Sequence, residues 1–151
     1  MELLVLKLDP GLPTPARAHP GDAGLDLYAR AAAVLEAGEW QAIDTGVAVA
    51  IPLGYVGLLV PRSGLALSNA ASLVNTPGVI DAGYRGELRA IVINHGSEPL
   101  KILRGDRIAQ LVITAIADVT ITETTSLPTS ERGEGGFGSS GSDKLPGILR
   151  T

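Results

Sequence analysis

Short apolar runs recur along the chain between glycines and prolines. Leu3 to Leu8, Leu25 to Tyr28, Gln41 to Ile43, Val47 to Ile51, Tyr55 to Val60, Leu88 to Asn94, Leu100 to Leu103 and Arg107 to Thr114 all have strand length. Turn residues separate them at the spacing of a sandwich or barrel. Only Arg30 to Glu36, RAAAVLE, has helical propensity, and Gly38 ends it early; a short helical piece also fits Leu65 to Ala70. The pattern predicts an all-β fold, a jelly roll or related closed sheet. VGLLV and AIVIN are apolar on successive residues, which suggests strands covered on both faces. A single 151-residue barrel has little to cover its outside, and a homo-oligomer would supply the cover.

After about Thr120 the apolar pattern fades, and from Thr129 the chain runs TSERGEGGFGSSGSDKLPGILRT. The expected organisation is a β-barrel domain over residues 1–128 and a flexible glycine- and serine-rich arm over 129–151. A plain disordered end is the ordinary meaning of such a tail. Against it stand Arg132, Phe137 (the one phenylalanine of the chain), Ser139 and Ser140. An arm that folds over a ligand uses all of these: glycines for close approach, an aromatic to stack, hydroxyls and a guanidinium for phosphate.

Composition narrows the function. A net charge of -4 argues against a nucleic-acid partner, which needs a basic face to release counterions. The charge is uneven. Met1 to Ile51 holds three basic residues against seven acidic, whereas Pro52 to Ile113 holds six (Arg62, Arg85, Arg89, Lys101, Arg104, Arg107) against four. Small polyanions are better received by the second half, although surface scatter also produces such a tilt. There are no cysteines, so neither a disulfide framework nor a thiolate metal site is available. No apolar run approaches the roughly 18 residues of a membrane span, and MELLVLKLDP lacks a signal-peptide pattern. A soluble cytoplasmic protein is expected.

The densest chemistry lies in Asn75 to Asn94, NTPGVIDAGYRGELRAIVIN. Val79 and Ile80 lead into a turn, Gly83 and Gly86 bracket Tyr84, and Leu88, Ala90 and Val92 continue at period two, so the stretch reads as a β-hairpin. Glycine accepts positive φ freely, allowing a tight turn and a close ligand. Asp81 is then a carboxylate at the end of an apolar strand. Partial burial would raise its pKa and suit it to general-base work; a bland turn aspartate is the alternative. Arg62, Ser63 and Gly64 in PRSGLA follow YVGLLV and form a plausible phosphate cradle. Gln110 in GDRIAQL is polar within a strand, and Asp22 and Asp26 in DAGLDL are carboxylates of the kind magnesium takes, often through water.

These five motifs, DAGLDL, PRSGLA, NTPGVIDAGYRGE, GDRIAQL and RGEGGFGSSG, stand in one order from Asp22 to Gly141. In content and order they resemble the trimeric dUTPase family, the deoxyuridine triphosphate nucleotidohydrolases. The resemblance implies a jelly-roll homotrimer with active sites at subunit interfaces, splitting dUTP into dUMP and pyrophosphate with Mg2+. Such an enzyme clears dUTP from the DNA precursor pool and supplies dUMP for thymidylate synthesis. It further implies that Asn75 and the backbone of Gly78, Val79 and Ile80 read uracil, an Asn side chain offering both donor and acceptor. Tyr84 would pack under the deoxyribose, and Asp81 would activate a water against the α-phosphorus. Arg89 falls where the family also contacts substrate, though with varied residue types. Arg62, Ser63, Gly64 and Gln110 would hold the triphosphate. The arm would add Arg132 at the terminal phosphate, Phe137 on the base, and Gly138, Ser139 and Ser140 around the phosphates. Asp26 would act on the nucleotide-borne magnesium through water.

Two other readings stay open. A dCTP deaminase shares the fold but needs a glutamate base near the ring, where this stretch offers Asp81 and Tyr84, with Glu87 beyond the turn. A non-catalytic nucleotide-binding module needs neither a positioned base nor an arm. His19 and His95 lack ligand spacing and read as solvent-facing loop residues. Trp40 reads as a core or interface residue, and Pro10 to Pro20, with four prolines, as an extended segment.

Overall fold

A computed structural model describes residues 1–135. Contacts divide the chain into Met1–Asp118 and Val119–Thr151. All ten strands and the one helix of the described residues lie in the first unit. In order they are β1 Leu4–Lys7, β2 Gly24–Tyr28, β3 Ala33–Leu35, β4 Trp40–Ala50, β5 Tyr55–Val60, α1 Ser63–Asn69, β6 Ala71–Leu73, β7 Gly78–Ile80, β8 Glu87–Asn94, β9 Leu100–Ile102 and β10 Arg107–Ala115. The second unit, over its described residues 119–135, has local turns, one closed by Gly133 N–H donating to the Ser130 carbonyl at 3.1 Å.

The strands form two four-stranded sheets, β1-β4-β8-β6 and β2-β10-β5-β7, and a two-stranded one, β3-β9. All pairings are antiparallel, as the alternating patterns predict for a jelly-roll-like all-β fold. One buried cluster draws on all three sheets, including Leu27, Leu35, Val47, Leu59, Leu88, Val92, Leu100 and Leu111. Each such side chain contributes about 1.5–3 kcal/mol by leaving water. In β8 the alternation is strict: Leu88, Ala90, Val92 and Asn94 are buried. Asn94 is tolerated there because its Nδ2 donates to the carbonyls of Leu35 (2.9 Å) and Glu98 (2.8 Å) while its Oδ1 accepts Gly96 N–H (2.9 Å).

Four readings of the pattern change. First, Gly78–Ile80 and Glu87–Asn94 are not a hairpin. β7 pairs with β5, β8 pairs with β4 and β6, and residues 81–86 carry the chain from one sheet to the other. Period two fixes which face a strand buries, and it says nothing about which neighbour it pairs with. Neither Gly83 nor Gly86 has a positive φ, so the crossing does not depend on glycine's left-handed freedom. Second, RAAAVLE yields β3. Leu35 is buried and β3 pairs with β9, so tertiary pairing overrides the alanines' helical propensity. Third, Gln41–Ile43 and Val47–Ile51 largely fuse into β4 across a bulge between Asp44 and Ala48, where Gly46 takes φ +72°. Fourth, the short helix begins at Ser63 rather than Leu65 and ends at a left-handed Ala70 (φ 52°), whose N–H reaches the Ala66 carbonyl at 2.9 Å.

The second face of the doubly apolar strands is half-buried within one chain: Leu58 and Val60 of β5, Ile91 and Ile93 of β8. Trp40 is 62% exposed, which removes it from the core of this chain. His19 and His95 are exposed in loops. Among the described residues no helix is long and apolar enough to cross a membrane.

Candidate active site

The sheet crossing carries the first constellation. Asp81 follows the last residue of β7, and its carbonyl accepts Tyr84 N–H at 3.0 Å, so carboxylate and ring are held on one tight turn. The Tyr84 hydroxyl donates to the Glu87 carbonyl at 3.1 Å. Its ring lies over Gly86 so closely that a Cβ there would overlap the phenol, which is why a glycine stands at 86. Arg85 ties the turn off, its Nη1 donating to the carbonyls of Ala82 (2.6 Å) and Tyr84 (2.7 Å). Asp81, Tyr84, Val79, Ile80 and Arg89 line one cavity of about 240 Å³. Asp81 is exposed within this chain, so the partial burial expected around it is not present here.

Beside this cavity, β7 is an edge strand. One side of Gly78–Ile80 pairs with β5 and the other is unpaired by any strand, leaving backbone donors and acceptors for a planar ligand. The Asn75 amide lies against Gly78: a Cβ at 78 would sit 3.1 Å from Asn75 Nδ2. Asn75 and Gly78 at the start of β7 are thus together.

The second constellation gathers Asp26, Arg62, Ser63, Gly64 and Gln110 around a separate cavity of about 350 Å³ that Asp22 also lines. The sheet brings three of its motifs into register, since Gln110 faces Asp26 on one side and Val60 on the other. Arg62 Nε donates to Asp26 Oδ1 at 2.8 Å and Arg107 Nη1 to Asp26 Oδ2 at 3.1 Å. Gln110 Nε2 donates to the Pro61 carbonyl at 2.9 Å, and Gly24 leaves the space its side chain fills. Ser63 and Gly64 open α1 directly after Arg62, with first-turn amides that have no partner inside the helix. Two guanidinium groups beside exposed amides and a hydroxyl are what a polyphosphate needs.

Asp26 cannot be both a free metal ligand and the shared acceptor of two arginines. Among the described residues no group of three or more His, Asp or Glu side chains could hold a metal ion. The donor set therefore does not fit a magnesium held directly by these residues. Arg132, the remaining described residue of the predicted phosphate set, donates its Nε–H to the Gly135 carbonyl at 2.8 Å in the second unit. Phe137, Gly138, Ser139 and Ser140 lie outside the described residues.

Sequence reasoning missed Arg107 as the second holder of Asp26, although it starts the strand that carries Gln110. It also missed the ties on Glu87. That carboxylate accepts Gly46 N–H at 2.7 Å and Arg30 Nη1 at 3.0 and 3.3 Å. Partners 57 and 41 residues away leave no local signal. So committed, Glu87 is not a free base for ring chemistry, which removes the feature a deaminase would need. Arg30 also lies 3.7 Å from Asp9. Asp9 in turn takes both Nη groups of Arg104, at 2.5 and 2.9 Å. The Arg104 hydrogen bonds pull the Asp9 carboxyl down from 3.8 to about 2.

The dUTPase family model matches residues 11–141. The deoxyuridine 5'-triphosphate nucleotidohydrolase of Nocardia farcinica is 53% identical over 136 residues, covering 89% of this chain and 82% of that protein. The Mycobacterium tuberculosis protein of the same name is 50% identical over 145 residues, covering 92% and 94%. Among solved structures, the Staphylococcus bacteriophage 80alpha dUTPase with dUpNHpp superposes with a TM-score of 0.85 at 36% identity, over 93% of this chain and 98% of that one. A dUTPase from phage phi11 of S. aureus, described with a structural Mg(II) ion, superposes with a TM-score of 0.78 at 32% identity, over 85% and 100%.

Proposed function

The chain belongs to the dUTPase family, and from that premise we propose how its residues perform dUTP hydrolysis. The enzyme is a hydrolase acting on dUTP. The observation that carries the residue assignment is the Asp81–Tyr84 turn, which sets a carboxylate and an aromatic ring three residues apart on one cavity.

In this reading uracil lies along the unpaired edge of β7. The Gly78–Ile80 backbone and the Asn75 amide pair with its polar edge. Cytosine presents the opposite donor and acceptor order and would leave buried groups unpaired, which discriminates strongly. Tyr84 packs against the deoxyribose and leaves no room for a 2'-hydroxyl; Arg89 borders the same cavity. Asp81 takes a proton from water as the water oxygen bonds to the α-phosphorus. The bond from that phosphorus to its bridging oxygen breaks, and pyrophosphate leaves with the electron pair. Arg62, Ser63, Gly64 and Gln110 hold the phosphates, stabilising the charge that develops. Asp26 aims Arg62 at them.

Magnesium enters as part of the substrate, Mg–dUTP, which agrees with a carboxylate set already committed to arginines. A homotrimer completes the site. In this reading one copy's Arg62–Gln110 end meets another's Asp81–Tyr84 turn, which the separate lining of the two cavities within one chain supports, and the half-buried second faces of β5 and β8 gain cover. Residues 129–151 form the arm that closes over the nucleotide, Arg132 on the terminal phosphate, Phe137 on the base, Gly138, Ser139 and Ser140 around the phosphates. The enzyme works in the cytoplasm on the DNA precursor pool, supplying dUMP for thymidylate synthesis.

Turnover in H2(18)O tests the chemistry. Attack at the α-phosphorus puts the label in dUMP and none in pyrophosphate; label in pyrophosphate contradicts it.

A further inference from the structure

Glu87 is part-buried and uninvolved in the chemistry above, yet its side chain and carbonyl both carry hydrogen bonds at the turn. Its Oε1 accepts Gly46 N–H at 2.7 Å and Arg30 Nη1 at 3.3 Å, and its Oε2 accepts Arg30 Nη1 at 3.0 Å. Its main-chain carbonyl accepts the Tyr84 hydroxyl at 3.1 Å. One residue thus joins the body of the sheet to the ring of the substrate cavity.

The backbone at this point needs such an anchor. Glu87 is the first residue of β8, directly after the crossing. Its ladder to β4 is broken there: Asp44 pairs with Arg89 and Ala48 with Glu87, so β4 advances four residues where β8 moves two. Ladder bonds fix a strand end poorly across a bulge. The side-chain bonds of Glu87 substitute for them, one to the N–H of Gly46 at the bulge itself and one to Arg30, which Asp9 braces at 3.7 Å.

We propose that Glu87 is a positioning residue for Tyr84, holding the carbonyl that fixes the phenol and so setting the discrimination between deoxyribose and ribose. The proposal rests on the reading that Tyr84 packs against the sugar. Tyr84 is 42% exposed, so packing alone does not immobilise its ring, and its hydroxyl has the Glu87 carbonyl as its hydrogen-bond acceptor. A ring that can swing away makes room for a 2'-hydroxyl. Loosening Glu87 therefore admits UTP more than it impairs dUTP.

The test is a double-mutant cycle read as the ratio of kcat/KM for dUTP to kcat/KM for UTP. The proteins are wild type, Tyr84→Phe, Glu87→Ala, Glu87→Gln, and Tyr84→Phe combined with Glu87→Ala, each checked for native circular dichroism and oligomer size. Tyr84→Phe cuts the link at the hydroxyl and Glu87→Ala cuts it at the anchor. Each is expected to lower the ratio by about tenfold, and the double variant by no more than the larger single effect, because both sever one path. Glu87→Gln still accepts the Gly46 N–H and is expected to recover part of the ratio; it also serves if the alanine variant does not fold. A structural role alone would lower dUTP and UTP turnover together and leave the ratio unchanged, or give multiplicative effects in the double variant; either result overturns the proposal. A wild-type protein that shows no preference for dUTP over UTP overturns the sugar-packing reading itself, and this assignment with it.

Discussion

Asp26 holds Arg62 by an Oδ1···H–Nε bond of 2.8 Å, with Arg107 on its other oxygen at 3.1 Å. A carboxylate that the sequence offers to magnesium through water is thus the shared acceptor of two arginines, one of them the Arg62 proposed to hold phosphate. Charge-assisted bonds of this kind are stronger than neutral ones and fix direction as well as distance.

Replacing Asp26 by Asn keeps the shape and removes the charge that both arginines face. The expected result is a rise of about tenfold in KM for dUTP, the equivalent of one lost charged hydrogen bond, with the midpoint of a magnesium titration unmoved. Steady-state kinetics at varied nucleotide and varied magnesium separate the two. A shifted magnesium midpoint at constant nucleotide KM would make Asp26 a metal residue after all.

Asp81→Asn removes the carboxylate proposed as the base and leaves the turn, whose hydrogen bond to Tyr84 uses the backbone carbonyl of residue 81. Turnover is expected to fall by at least about 10²-fold while the nucleotide still binds. Single-turnover rates together with equilibrium binding of a non-hydrolysable dUTP analogue check both halves. Near wild-type turnover would remove Asp81 from the chemistry.

Ending the chain at Thr129 spares every described strand, all of which lie in Met1–Asp118. The truncated protein is expected to keep its sedimentation behaviour and thermal midpoint and to lose most of its turnover. Unchanged kinetics would reduce residues 130–151 to a plain terminus.

Asp9 gives a pH signature. Its carboxyl sits near 2 in the folded protein, pulled down from 3.8 chiefly by its hydrogen bonds to Arg104. A depressed folded-state value contributes stability that is full above pH 3.8 and is lost as pH falls through about 2. Urea unfolding midpoints are therefore expected to be higher in wild type than in Asp9→Asn at neutral pH, with the gap closing between about pH 4 and 2. A gap constant across that range would mean the pair with Arg104 contributes nothing.

Much of this was legible in the chain because it is local. The period-two burial of Leu88, Ala90 and Val92 and the grouping of Arg62, Ser63 and Gly64 at a strand end follow from neighbouring residues alone. So does the placement of Asp81 and Tyr84 on one turn. The hairpin reading of residues 75–94 failed because alternation tells a strand which side to bury and leaves its partner open; β7 found β5, and β8 found β4. The stretch RAAAVLE failed because Leu35 gains more from burial beside β9 than three alanines gain from a helix. The two arginine partners of Asp26 were not legible because they lie 36 and 81 residues away, a distance over which a sequence pattern carries no sign of who pairs with whom.

The most direct measurement is to incubate the protein with magnesium and, separately, dUTP, dCTP, dTTP and UTP, and to resolve the products by ion-exchange chromatography. Conversion of dUTP alone, to dUMP and pyrophosphate, is expected, since it reports the uracil edge, the sugar contact and the α-phosphorus attack together. Conversion of dCTP to dUTP, or comparable turnover of all four nucleotides, would contradict it.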